Sequence, residues 1–196
     1  MLINYEEIEP SLRYKITSNS VIPRAIAWIV TQDDTINVAP FSYFTPLSSN
    51  PPVLIVSIGH KSDGSPKDTL ANIRKTKKCT ICIADEERYE KLHFSSKELD
   101  KSQSEAELFG IELKSLQSAY PPIIKDIPIA FFCTLYEEIE LKGSKTIPVI
   151  LKIEYQYIND NIISDKEKMH FDFKPLARVG ANYAKLGEKI ISPKIP

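Results

Sequence analysis

Charge of one sign is missing from this chain: across 196 residues, 25 lysines and arginines face 26 aspartates and glutamates, a net charge of −1. Without a dominant field, nucleic acid and anionic lipid are not expected partners. Long apolar runs are missing too. None approaches the ~20 residues that cross a bilayer. The opening MLINYEEIEP has neither the basic nor the apolar region of a secretory leader. These absences point to a cytoplasmic protein with no membrane partner. Hydrolytic signatures are also lacking. There is no G-x-S-x-G and no H-E-x-x-H, and Gly59-His60-Lys61-Ser62 has the wrong spacing for a nucleophile elbow. No G-x-x-x-x-G-K is present, so there is no P-loop.

Cysteine is sparse, and its one suggestive spacing does not carry redox chemistry. Cys79-Thr80-Ile81-Cys82 is formally C-x-x-C, but it lies in CTICIA, an apolar, β-branched run that reads as a strand. On a strand, positions i and i+3 point to opposite faces and sit ~10 Å apart by rise alone. A disulfide tolerates Cα separations only up to ~7 Å. Cys133, His60, His93 and His170 are not spaced to complete a zinc site, so no metal is expected. The cysteines read as buried strand residues, and the histidines as surface or packing residues.

What is present is an ordinary globular composition. Apolar residues at 42% and charged residues at 26% argue against disorder. The length suits one substantial core. No repeat or low-complexity linker divides the chain, so residues 1–196 are expected to form a single domain. Residues 1–21 read as a polar arm with a short strand or helical turn. Strands are expected over Ala25–Thr31, Ile36–Phe41 and Val53–Ile58, the last apolar enough to be buried on both faces. Gln32–Thr35 is a turn. Pro40 is expected to end pairing of the second strand, and the three prolines of Ser42–Pro52 mark a loop.

A polar loop from Gly59 to Pro66 leads to a helix over Thr69–Lys77, with Asp68 as its N-cap and Leu70 and Ile73 on one face. Cys79–Ala84 is a strand. The charged stretch from Asp85 to Gly110 reads as two short helices forming a surface excursion. Alternation over Ile129–Leu141 and Val149–Tyr157, across the Lys142–Lys145 turn, predicts a long hairpin. The fold class is mainly β: a small, mostly antiparallel barrel with helices at its rim.

Two segments could hold a ligand. The loop from His60 to Thr69 joins a strand to a helix N-terminus, where free N–H groups and the dipole favour an anion. Ser65 and Thr69 add hydroxyls, and Lys61 and Lys67 add charge. The same residues also fit a solvated surface loop. In Asn37-Val38-Ala39-Pro40-Phe41-Ser42-Tyr43-Phe44, a proline break leaves N–H groups beside aromatic side chains, the combination that suits a flat heteroaromatic ring. Core packing of Phe41, Tyr43 and Phe44 fits as well.

Together these motifs resemble the flavin reductase-like family, the FMN-binding split barrels that include flavoredoxin. The resemblance rests on Pro23-Arg24 before Ala27-Trp28, Thr31, the segment Asn37 to Phe44, and Ser49-Asn50-Pro51-Pro52-Val53. It continues with Lys67-Asp68-Thr69, Asn72-Ile73 and Arg178-Val179-Gly180-Ala181-Asn182-Tyr183. Departures are Ala25 in place of a frequent proline, a glycine-free first hairpin at Asp33-Asp34-Thr35, and Ala181 where a second glycine is usual.

The resemblance implies a homodimer with FMN near the interface and NADH or NADPH as donor. The implied cofactor contacts are Thr31, Asn37, Ala39, Pro40, Phe41, Ser42, Tyr43 and Phe44 along the ring, and Ser57, Lys67, Asp68 and Thr69 toward the ribityl chain or phosphate. Arg178 and Tyr183 close the site. No catalytic side chain is required, because the flavin itself accepts hydride. The implied activity is an FMN-dependent NAD(P)H:flavin oxidoreductase. The alternatives are a flavoredoxin-type carrier needing a protein partner, or a cofactor-free binding barrel.

Overall fold

The structure is a computed structural model describing residues 1–193 and 195. Its strands, in chain order, are β1 (Arg24–Ala25), β2 (Ala27–Gln32), β3 (Ile36–Phe41), β4 (Phe44–Ser49), β5 (Pro52–Gly59), β6 (Lys78–Ile83) and β7 (Leu113–Lys114). They continue with β8 (Ile123–Ile124), β9 (Ile129–Glu138), β10 (Thr146–Ile158), β11 (Ile163–Asp165), β12 (His170–Phe171), β13 (Leu176–Val179) and β14 (Asn182–Lys185). The helices are α1 (Pro10–Ser20), α2 (Asp68–Thr76), α3 (Tyr89–Phe94) and α4 (Glu105–Leu108).

The main sheet is curled, with strand order β3-β2-β6-β9-β10-β5-β4 and every pairing antiparallel. Alternation along each strand feeds two cores, one per face. Ala27 and Ile29 join Leu54, Val56, Ile58, Leu151 and the α2 residues Leu70 and Ile73. Trp28 and Val30 join Val38, Phe132, Leu92 and Ile123 on the other face. α2 therefore plugs one side of the sheet while the 85–128 region covers the other. Cys79 and Cys82 fall in opposite cores, as the strand spacing requires, and Cys79, Cys82 and Cys133 are all free and buried. Burial pushes the Cys82 thiol up to about 12.

Several expectations are corrected. The proline-containing stretch after Ser42 is not all loop: β4 runs from Phe44 to Ser49 and pairs with β5. As an edge strand it tolerates Pro46, whose missing N–H leaves no central ladder bond unmade. Edge position also explains why β3 continues through Pro40, which sits opposite Trp28, to Phe41. β5 is fully buried on one face only, since Ile55 and Ser57 are half-buried. The N-terminal arm contains an eleven-residue helix, α1, beginning at Pro10. It carries no clear apolar stripe, but proline at the first helical position was the available signal.

The 85–110 excursion is more than surface. Trp28 Nε1 donates to Ser95 Oγ at 2.9 Å, and the backbone N–H of Val38 donates to Glu105 Oε2 at 2.9 Å. Helices of six and four residues are too short for their few inward apolar positions to show a period.

Candidate functional site

A cleft of about 570 Å³ opens against β3, lined by Pro40, Phe41, Ser42, Tyr43, Ser57, Lys67, Arg178 and Tyr183 among others. A smaller cavity of about 100 Å³ is lined by Asn37, Ala39, Lys61, Lys67, Asp68, Thr69 and residues 95–98. The two share Pro40, Phe41, Lys67 and Ser96, so they form one elongated depression. Its broad end is aromatic and its narrow end is charged.

The narrow end is set by the entrance to α2. Lys67, not Asp68, occupies the N-cap, with no side-chain cap bond, and Asp68 is the first helical residue. Asp68 is instead held by Lys61, with Nζ 2.8 Å from Oδ2, and that bond raises the Lys61 pKa. Lys67 and Lys97 form no ion pair among the described residues. Three lysines and three carboxylates (Asp68, Glu98 and Glu105) line this end, so its charges are balanced overall and its available cations are Lys67 and Lys97. Ser65 turns inward on its own loop, with Oγ 2.6 Å from Asp63 Oδ1.

Thr69 is buried and engaged internally. Asn37 Nδ2 donates to Thr69 Oγ1 at 2.9 Å and to Thr31 Oγ1 at 3.3 Å, while Asn72 Nδ2 donates to Thr31 Oγ1 at 3.1 Å. This network ties β2, β3 and α2 into one piece beneath the narrow end. A buried hydroxyl without a partner costs free energy, so the four side chains fix one another.

Along the broad end the edge of β3 faces outward at Val38 and Pro40, by the two-residue repeat. Glu105 takes the Val38 N–H, and Pro40 has none, so neither outward position of β3 keeps a free N–H. Glu105 is 6% exposed, and burial raises its pKa, with the Val38 N–H opposing. Tyr14 from α1 stacks on Tyr43 with ring centroids 6.0 Å apart. Across the cleft, the Arg178 guanidinium lies over the Tyr183 ring at 4.8 Å, and Tyr183 Oη is 3.1 Å from His93 Nδ1. Burial raises the Tyr183 pKa, and Arg178 works against it.

The β13–β14 turn that carries Arg178 and Tyr183 depends on Gly180. Its φ is +55°, and a Cβ there would run into Asn19 Oδ1 of α1. Only glycine meets both demands without strain.

Of the residues expected at the site, Ala39, Pro40, Phe41, Ser42, Tyr43, Ser57, Lys67, Arg178 and Tyr183 line the joined depression, and Asn37, Asp68 and Thr69 line its narrow end. Thr31 lies beneath it in the network, and Phe44 lines an adjoining cavity that shares Ser42, Tyr43 and Ser57 with the cleft. Residues not foreseen there are Tyr14, Leu92, His93, Ser95, Ser96, Lys97 and Glu105. Only their position in the fold reveals them. Among the described residues, no group of three or more His, Cys, Asp or Glu could hold a metal, and no helix is long and apolar enough to cross a membrane.

Comparison with known proteins places this geometry. Residues 19–180 match the family model described as Flavin reductase like domain, and the chain belongs to that family. The structure is similar to nitrilotriacetate monooxygenase component B from Bacillus cereus, with a TM-score of 0.90, 27% identity and 98% of both chains covered. It is also similar to the 2-nitrobenzoate 2-nitroreductase NbaA from Pseudomonas fluorescens, with a TM-score of 0.88, 27% identity and 100% of this chain and 96% of that one covered. Flavoredoxin from Desulfovibrio vulgaris (Miyazaki F) shares the fold at a TM-score of 0.73 and 17% identity, over 88% and 91% of the two chains. The curled sheet is thus the split barrel of the flavin reductases, mainly β with helices at its rim.

Proposed function

We propose that this chain, as a single unit over residues 1–196, is an FMN-dependent oxidoreductase that takes hydride from NADH or NADPH and passes electrons to free flavin or another acceptor. The observation that carries this reading is the joined depression: an aromatic end of about 570 Å³ continuous with a narrow end where Lys67 stands free at a helix entrance. A phosphorylated heteroaromatic needs both, and the donor set fits.

In this reading Ala39, Pro40, Phe41 and Tyr43 bound the ring, and Ser42 offers its N–H and hydroxyl to the ring edge. Phe44, on the neighbouring cavity, backs Tyr43. Lys67, with Ser57 beside it, addresses the ribityl chain and phosphate. Asp68 holds Lys61 in place, and Asn37, Thr31 and Thr69 hold the floor rigid rather than reaching far into it. Arg178 and Tyr183 close the open side, with Leu92 excluding water. When bound, FMN supplies two-electron chemistry by accepting hydride at N5. The protein's contribution is orientation and preorganised donors for the charge that develops on reduction.

A second reading, a carrier that passes electrons only to a protein partner, is favoured by likeness to a lettered component of a monooxygenase. Exposed Leu12 and Tyr14 on α1, Val21 and Ile22 just after it, Tyr43 before β4 and Leu47 on the β4 edge support a homodimer that covers them. The free cysteines suit a cytoplasmic setting.

Absorbance of the purified protein tests the central claim. Added FMN should bind and bleach on mixing with NADH or NADPH. Bound FMN that bleaches only after a cellular reductase is supplied would favour the carrier, and failure to take up FMN would refute both. Light scattering reporting a monomer would remove the dimer.

A further inference from the structure

Two arginines face each other across the short β1–β13 pair, Arg24 directly opposite Arg178. Side chains at such positions leave the same face of the sheet, and like charges there repel. Neither arginine has a carboxylate partner among the described residues. Arg24 is buried and spent on the end of α1, where its Nη1 donates to the Ser18 and Val21 carbonyls. That helix end carries roughly half a negative charge. Arg178 has no such counter-charge. Its Nε donates to the Gly180 carbonyl at 3.0 Å and its guanidinium lies over the Tyr183 ring. Among the described residues its two Nη groups bond to no carbonyl or carboxylate.

Arg178 is half-buried and lines the cleft against β3, whereas Arg24 does not. Among the described residues no aspartate or glutamate lines that cleft. Its lysine and arginine cations are Lys67 and Arg178, and only Lys67 also lines the narrow end. The depression therefore has two positive poles, one at the entrance to α2 and one on the terminal hairpin. Lys67 answers to the phosphate of FMN. The second pole is left without an anion.

We propose that Arg178 anchors the pyrophosphate of the nicotinamide dinucleotide while the nicotinamide lies against the FMN ring. A guanidinium suits phosphate oxygens and keeps its charge at any working pH. In a half-buried cleft free of carboxylates that charge is screened less than on open surface. The Tyr183 stack and the Gly180 bond already hold the guanidinium, so little order is lost when an anion arrives. The hairpin also suits a ligand that comes and goes, since it stands apart from the hydrogen-bonded network beneath the narrow end. Arg178 takes this role only in a cleft that holds FMN, so it rests on the flavin reading, which supplies the ring that the nicotinamide meets.

Stopped-flow reduction of the FMN-loaded full chain tests this, each preparation being titrated with FMN beforehand. NADH and NADPH should bind Arg178→Gln roughly tenfold to a hundredfold more weakly than the native protein, the loss expected for a charge-assisted hydrogen bond. The uncharged donor 1-benzyl-1,4-dihydronicotinamide should lose far less. Calorimetric titration of NAD+, which cannot reduce the flavin, should show the same weakening, and Arg178→Lys should recover most of it by restoring the charge. On the native protein, rising salt should weaken NADH binding and leave the benzyl donor nearly unaffected. Equal loss for charged and uncharged donors, unchanged NAD+ affinity in Arg178→Gln, or NADH affinity indifferent to salt would each overturn the proposal. If Arg178→Gln lost a second equivalent of FMN while keeping its NADH affinity, the anion would be a flavin acceptor's phosphate, and the dinucleotide assignment would fall. Protein that takes up no FMN would refute the flavin reading and this one together, whereas normal FMN uptake with unchanged NADH affinity would refute this one alone.

Discussion

The two ends of the depression are built in different ways. The narrow end rests on β2, β3 and α2, locked by the Asn37–Thr31–Asn72–Thr69 network, and its charges balance locally. The broad end is assembled from distant parts of the chain: Tyr14 from α1, Tyr43 from the β3–β4 link, His93 from α3, and Arg178 and Tyr183 from the terminal hairpin. It is held by ring contacts and a few single hydrogen bonds. A rigid floor with an adjustable roof suits a site that keeps one ligand while exchanging another. The contrast can be broken from either end.

The largest expected effect is on the narrow end. Lys67→Glu should weaken FMN binding by about tenfold to a hundredfold, since a charge reversal near a phosphate changes its energy by a few kcal/mol even when partly screened. Riboflavin, which lacks the phosphate, should bind the variant and the native protein alike, and thermal melting should be unchanged. Flavin fluorescence quenching measures both affinities. Equal loss for both flavins would move the phosphate away from Lys67.

Asn37→Ala strikes the floor itself. It removes the donor shared by Thr31 and Thr69, leaving buried hydroxyls less well satisfied, and should cost about 2 kcal/mol in denaturant unfolding. If the floor is the stiffer end, Tyr183→Phe at the roof should cost far less, because the half-buried ring remains and only the contact to His93 is lost.

Gly180→Ala tests how firmly the roof is positioned. Left-handed backbone at a non-glycine residue costs roughly 1 kcal/mol, and the new methyl meets Asn19 as well. Pairing it with Asn19→Ala should recover the clash but not the backbone strain. Melting temperatures of the single and double variants separate the two contributions.

How much of this was legible beforehand follows the same division. The floor was readable: the β3 range, the helix beginning within one residue of its expected start, and the Leu70–Ile73 face all come from local pattern, and local pattern survives in the fold. Pairing rules also placed Cys79 and Cys82 on opposite faces. The roof was only partly readable, because Tyr14 and His93 carry no periodic or spacing signal that ties them to β3. β4 was hidden by its prolines, which are tolerated only because the strand lies at an edge, a fact of topology. The Asp85–Gly110 stretch looked solvated because its charges outnumber the few side chains, Leu92, Ser95 and Glu105, that anchor it.

Glu105 gives the smallest and most discriminating effect, since it joins the excursion to the edge of β3. It faces the Val38 N–H on β3, Lys61 in the loop before α2, and Asp68 on α2. Burial is the main cause of its raised pKa, with Asp68 adding to it and the Val38 N–H and Lys61 opposing. A carboxyl whose pKa is higher in the folded than in the unfolded chain holds its proton longer when folded. Stability therefore falls as pH rises from the unfolded value through the folded one, and stays lower above both. Glu105→Gln keeps an acceptor for Val38 without the buried charge. Its melting curve should match the native protein's at acid pH, then sit higher as pH climbs to neutrality. If the variant were instead less stable at neutral pH, the ionised bond to Val38 would outweigh desolvation, and Glu105 would be a charged clamp on the edge of β3.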